Sequence, residues 1–142
     1  MCCFIQSVIA AQSSSVVLND AINMQYADPR SAIALLLNNS NNLASMSDVQ
    51  FLAHQRLLLR LTQTVEENSL SNEVLQSLNE RFANAENFQP WLKVLNSSSF
   101  LLNQKYAKAD ELLKDITPLI LSEETDVFKM WFYAVTGELR TK

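Results

Sequence analysis

A single glycine in 142 residues is the tightest constraint on what this chain can fold into. Tight β-hairpins, and the strand-to-helix turns of α/β folds, draw on glycine or on Asn-Gly pairs for backbone at positive φ. One glycine and no Asn-Gly pair cannot supply them, so a β-sandwich or a doubly wound sheet is not expected. Three prolines supply the remaining punctuation, and helices joined by short polar loops are what such a chain can build. At 48% hydrophobic and 18% charged residues the composition is that of a folded chain. Its length is enough for one domain with a real core.

Apolar residues recur at helical spacing in about seven segments. The Ser13, Ser14, Ser15 cluster offers N-caps to a first helix with Val17, Ala21 and Met24 on one stripe. Asp28-Pro29 supplies an N-cap and a first-position proline for a second helix, which carries Ile33, Leu36 and Leu37 and frays into asparagines at 38, 39, 41 and 42. Ser47 and Asp48 open a third helix, where Leu52, Leu57, Leu58, Leu59 and Leu61 leave little exposed face; it is expected to be the most buried. Asn68-Ser69 is read as the next break, and Leu70, Val74, Leu78 and Phe82 then follow four residues apart. A fifth helix starts at Asn87, with Pro90 and Trp91 in its first turn. A sixth runs from Ala107 to Leu121, with Pro118 ending or kinking it, and the last runs from Asp126 to the final residue.

Three of these helix starts share a local signature. Tyr26-Ala27-Asp28-Pro29-Arg30-Ser31-Ala32 leads into Ile33 and Leu36; Tyr106-Ala107-Lys108-Ala109 leads into Leu112, Leu113 and Ile116; Ser71-Asn72-Glu73-Val74 leads into Leu75 and Leu78. With Val74 aligned to the two alanines, the intervals are 42 and 35 residues. The pattern resembles the second helix of tetratricopeptide repeats, whose period is about 34. At the C-terminus, Tyr133 and Gly137 match the aromatic and glycine of a first repeat helix, against which a neighbouring helix would pack. The full Trp-Leu-Gly-Tyr set occurs in no repeat. The resemblance implies an all-α domain over residues 13–142: antiparallel helical hairpins stacked as a short right-handed solenoid, with the last repeat incomplete. The phrase around Tyr26 to Ala32 is also similar to that in helical sensor regions of bacterial histidine kinases and diguanylate cyclases.

Residues 1–12, MCCFIQSVIAAQ, admit two readings. One is a signal segment whose start lies upstream, with Val8 and Ala10, or Ile9 and Ala11, preceding cleavage. The other is the start of a first helix with Phe4, Ile5, Val8 and Ile9 as its apolar face. The first makes the protein periplasmic or exported, the second cytoplasmic. No basic residue precedes Arg30. Cys2 and Cys3 read as small apolar residues, or as acylation sites.

Chemistry is sparse. His54 is the only histidine, so a His-based metal site and a Ser–His hydrolase are not expected. It reads as a satisfied core or surface residue, with proton sensing as the sharper alternative. No glycine-rich phosphate loop exists, and no cofactor is expected. The acidic pairs Glu66-Glu67, Asp110-Glu111 and Glu123-Glu124 point about 100° apart on a helix and read as solvated faces. A net charge of −4 disfavours nucleic acid as a partner. The sequons at Asn38 and Asn96 are common by chance. A non-catalytic protein- or peptide-binding scaffold, the sensory region of an exported signalling protein, is the expected function. A small-molecule sensor and a dimerising spacer are the alternatives. Phe128, Trp131, Phe132 and Val135 are the expected partner-facing apolar end, through which the C-terminal helix could also self-associate.

Overall fold

A computed structural model describes residues 15–142; the segment 1–12, with its cysteines, lies outside them. Every regular element among the described residues is helical. In order they are α1 (15–24), α2 (Pro29–Asn38), α3 (Asp48–Thr64), α4 (Asn68–Arg81), α5 (Gln89–Leu102), α6 (Tyr106–Lys114), α7 (Pro118–Glu123) and α8 (Asp126–Arg140). Short 3-10 helices fill Ser40–Ser45, where the asparagine run was expected to fray, and Glu86–Phe88. Packing divides the chain into two compact units, one ending at Val74 and the other running from Leu75 to Lys142.

Polar side chains define the helix starts. Asp28, Ser47, Thr117 and Thr125 each accept a hydrogen bond from the backbone N–H three residues on. At Ser47 the bond is reciprocal, because Gln50 returns one to the Ser47 N–H at 3.2 Å. Pro118 is therefore not the end of a long sixth helix. Helix α6 stops at Lys114, and Pro118 begins α7 behind its cap Thr117. Proline loses nothing at a first helical position, where its missing N–H would have had no partner.

Two helix exits are built alike without glycine. After α3, the Glu66 N–H bonds to Gln63 O at 3.2 Å and the Glu67 N–H to Thr62 O at 2.9 Å. After α5, the Gln104 N–H bonds to Leu101 O at 3.0 Å and the Lys105 N–H to Phe100 O at 2.8 Å. Both are Schellman closures. Glu66 and Gln104 sit at φ 61° and 60°, the left-handed region that glycine would normally fill. The break after α3 is thus at Glu66, and Asn68 already belongs to α4.

A small buried residue stands at the same place in three helices. The Ala32, Ser71 and Ala109 N–H groups bond to the carbonyls of Asp28, Glu67 and Lys105, which immediately precede their helices. All three residues are buried, and they lie 39 and 38 residues apart. Ser71, one turn before Val74, is the counterpart of the two alanines; Val74 packs as an ordinary core residue.

In the first unit, α3 is buried around most of its circumference, through Phe51, Leu52, Leu57, Leu58, Leu59 and Leu61. It packs with α2, and the Ser71 hydroxyl donates to Thr62 Oγ1 at 2.8 Å where α4 begins. In the second unit, α5 and α6 pack together most extensively. Ser97, fully buried, donates to Lys93 O at 2.7 Å and meets Ala109 O at 3.3 Å. Two small side chains let the backbones approach at that crossing. Asn79 and Asn96 join α4 to α5 by reciprocal amide bonds of 3.1 and 2.9 Å. Helix α8 completes the unit against α5 and α6. Gly137 lies exposed on α8, and beyond its own helix's backbone and its two chain neighbours no described atom comes within 4 Å of the position its Cβ would take. No helix among the described residues packs on it, so the close contact expected there is absent.

Left-handed backbone costs a non-glycine residue roughly 1–2 kcal/mol, partly offset by the greater freedom glycine has when unfolded. Gln104→Gly should accordingly raise stability by about 0.5–1 kcal/mol, and Gln104→Val should lower it by at least about 1 kcal/mol. Urea unfolding followed by circular dichroism reads both; equal midpoints for the two variants would contradict the assignment.

Candidate functional site

A concavity of the second unit lies where the start of α5 faces α7. It holds about 470 Å³ and is open to solvent. Pro90, Ile116 and Ile120 give it apolar surface; Glu86, Asn87, Gln89, Lys93, Asp115, Glu123 and Glu124 surround them. Its volume lies in the range of ordinary ligand sites, about 300–1,000 Å³. Helix α7 forms one side only because Pro118 restarts the chain there, bringing Ile120 and the Glu123-Glu124 pair alongside Ile116.

The opposite side is held by the approach to α5. Gln89 Nε2 donates to Phe82 O at 2.8 Å and to Ala85 O at 3.3 Å, satisfying carbonyls just beyond α4. Phe82 and Phe88 stack with ring centroids 4.3 Å apart. Lys93 Nζ lies 3.6 Å from Asp115 Oδ2. Four carboxylates therefore border the groove against one ammonium, which already has a carboxylate partner. The groove is thus an apolar strip with a net negative border.

The four side chains expected to face a partner divide. Phe128 and Val135 lie in the core of the second unit, and Trp131 and Phe132 are half-buried. The cause is Trp91, whose ring meets Phe128 edge-on at 5.1 Å and Trp131 at 6.1 Å. Phe132 stacks on Phe128 at 6.5 Å. Aromatic contact within the unit covers this face. The large apolar side chains that α8 does expose are Val127, Met130 and Tyr133.

His54 is 1% exposed. Its Nδ1 lies 2.9 Å from Gln55 Oε1, while Nε2 closes no hydrogen bond among the described residues. Burial pushes the imidazole below its usual range; the Gln55 side chain and the nearby Leu36 backbone favour the charged ring but do not reverse the shift. A space of about 30 Å³, lined by Ser15, Leu18, Met46, Gln50 and His54, is large enough for one water.

The acidic pairs do not form dyads. Glu67 pairs with Arg30 at 3.1 Å and Asp110 with Lys114 at 2.7 Å, while Glu123-Glu124 borders the groove. Asn38 is exposed at the end of α2, whereas Asn96 is engaged with Asn79 and Leu92 O. Among the described residues no His, Cys, Asp and Glu side chains gather as a metal-sized group, and no helix is long and apolar enough to cross a membrane. The chain matches no protein-family model, no curated protein and no solved structure.

Two measurements test these placements. Phe128→Ala removes a fully buried ring and should cost about 3–5 kcal/mol of stability, read by urea unfolding; a loss below about 1 kcal/mol would return Phe128 to the surface. For His54, the folded-state pKa lies below the unfolded value of 6.5. Its contribution to stability is thus present above pH 6.5 and is lost as pH falls through the folded-state pKa. Unfolding midpoints should drop between pH 7 and pH 5, and His54→Gln should flatten that slope, since no other histidine exists. An unchanged slope would show that another group controls it.

Proposed function

We propose that the chain is a non-catalytic helical scaffold that binds a peptide or a segment of a partner protein, with the groove between α5 and α7 as its binding site. The observation behind this reading is the groove's form. It is open rather than enclosed, apolar along Pro90, Ile116 and Ile120, and edged by side chains that can bond a peptide backbone or its charges. Amphipathic segments docked in apolar grooves gain affinity from apolar anchors, and the flanking charges add specificity. An enclosed pocket would speak instead for a small-molecule sensor.

The finer architecture we propose is a short right-handed solenoid of the tetratricopeptide kind. The repeated Schellman turn and the small residues at 32, 71 and 109 support it. The intervals of 39 and 38 residues exceed the family's ~34, so the hairpins would be longer than that family's usual ones. The sensory region of an exported bacterial signalling protein remains the setting that the Tyr26 to Ala32 phrase suggests.

A displayed library of random peptides, selected against the whole chain, tests the binding site. Enriched peptides should carry Lys or Arg beside an apolar residue, and should bind Ile120→Glu and Glu123→Lys at least about tenfold more weakly, equivalent to about 1.4 kcal/mol. Selection that enriches nothing, or binders indifferent to both substitutions, would remove the groove from consideration.

A further inference from the structure

The face of α8 turned away from the second unit's core has a pattern of its own. Asp126, Met130, Tyr133, Gly137 and Arg140 follow one another at spacings of four and three, which holds them on one stripe of the helix. All five are exposed, Met130 and Tyr133 at 60% each, and Ala134 and Val127 widen the stripe on one side. Phe128 and Val135, on the opposite side, are buried. Gly137 leaves open space where a side chain would stand. An apolar centre with a gap in it thus lies between a carboxylate at one end and a guanidinium at the other. Neither charge is in an ion pair among the described residues.

We infer that this stripe is a self-association surface, on which a second copy of the chain lays its own α8 antiparallel. Tyr133 stands seven residues from Asp126 and seven from Arg140. A two-fold axis beside Tyr133 therefore sets each Asp126 against the second copy's Arg140. The same axis sets each Met130 level with the second copy's Thr136, one residue from the gap at Gly137 and within reach of a flexible side chain. The stripe is its own complement, as a two-fold contact requires. Parallel pairing would oppose Asp126 to Asp126 and Arg140 to Arg140, so the charges select both the partner and its direction. The contact is small: a helix of 15 residues is about 22 Å long. One such pair buries less than the ~1,200 Å² of stable interfaces, so the dimer is weak and reversible. The surface is separate from the groove and does not depend on what the groove binds.

Sedimentation velocity on the whole chain, from about 10 μM to about 1 mM, spans the range in which so small a contact assembles. The expected result is a monomer–dimer equilibrium that shifts towards monomer at high salt. Met130→Glu should weaken it about tenfold or more, and Arg140→Asp about tenfold. The double variant Asp126→Arg with Arg140→Asp should restore wild-type association. Circular dichroism should find helix content unchanged in all of them, since the substituted side chains are exposed. Monomer at every concentration, a dimer undiminished by Met130→Glu, or a double variant that associates no better than Arg140→Asp alone would each overturn the inference.

Discussion

The close approach of helices at small side chains is the contact on which the rest of the second unit depends. Ser97 and Ala109 meet with only a hydroxyl and a methyl between two backbones, and Ser97 satisfies its own hydroxyl on Lys93 O, with Ala109 O alongside. That crossing fixes α6 against α5. The position of α5 in turn presents Trp91 to Phe128 and Trp131, and so seats α8. A larger side chain at either position would separate the helices and open a gap along the core, where each missing contact is costly. Ser71 beside Thr62 shows the same economy in the first unit.

The groove follows from how the chain leaves that pair. Helix α6 ends at Lys114, and the Thr117 cap with Pro118 turns the chain into a six-residue helix. So short a helix cannot cover the start of α5, and a concavity stays open between them. Its bordering charges come from residues that are solvated on any helix surface; the turn gathers them around an apolar strip. The same acids that make no catalytic dyad thereby give the groove a negative edge.

Much of this was legible in the residues. Asp28-Pro29 and Ser47-Asp48 announced helix starts, because a side-chain acceptor before a helix has one purpose. The leucines of α3 announced burial, and the scarcity of glycine announced helices throughout. Thr117-Pro118 carried the same cap-and-proline signal as Asp28-Pro29, yet the apolar run on either side suggested one continuous helix. Breaks near Asn68 and Lys105 were readable, but the left-handed residues that make them, Glu66 and Gln104, were not: neither residue favours positive φ, and packing of the flanking helices imposes it. Aligning Val74 with the alanines missed by one turn, since a serine can fill the small-residue position as well as an alanine can. The aromatic cluster of α8 could not be assigned a side from spacing alone. Nothing in the sequence says that Trp91, 37 residues before Phe128, is the ring that covers it.

Helix α8 shows most directly why hydrophobicity alone does not locate a partner surface. Its aromatic residues are the strongest apolar groups on it, and they are the ones the unit consumes. What is left outside is a weaker stripe of methionine, tyrosine, alanine and glycine, closed at both ends by charge. A partner surface on a small domain has to be this kind of remainder: apolar enough to reward contact, yet too modest to collapse the free chain into aggregates. Gly137 lowers helix propensity by about 1 kcal/mol relative to alanine, and no neighbour among the described residues uses the space it leaves. The proposed pairing with a second copy would give that space an occupant. That is the same logic by which an unfilled space in a core points to a missing side chain.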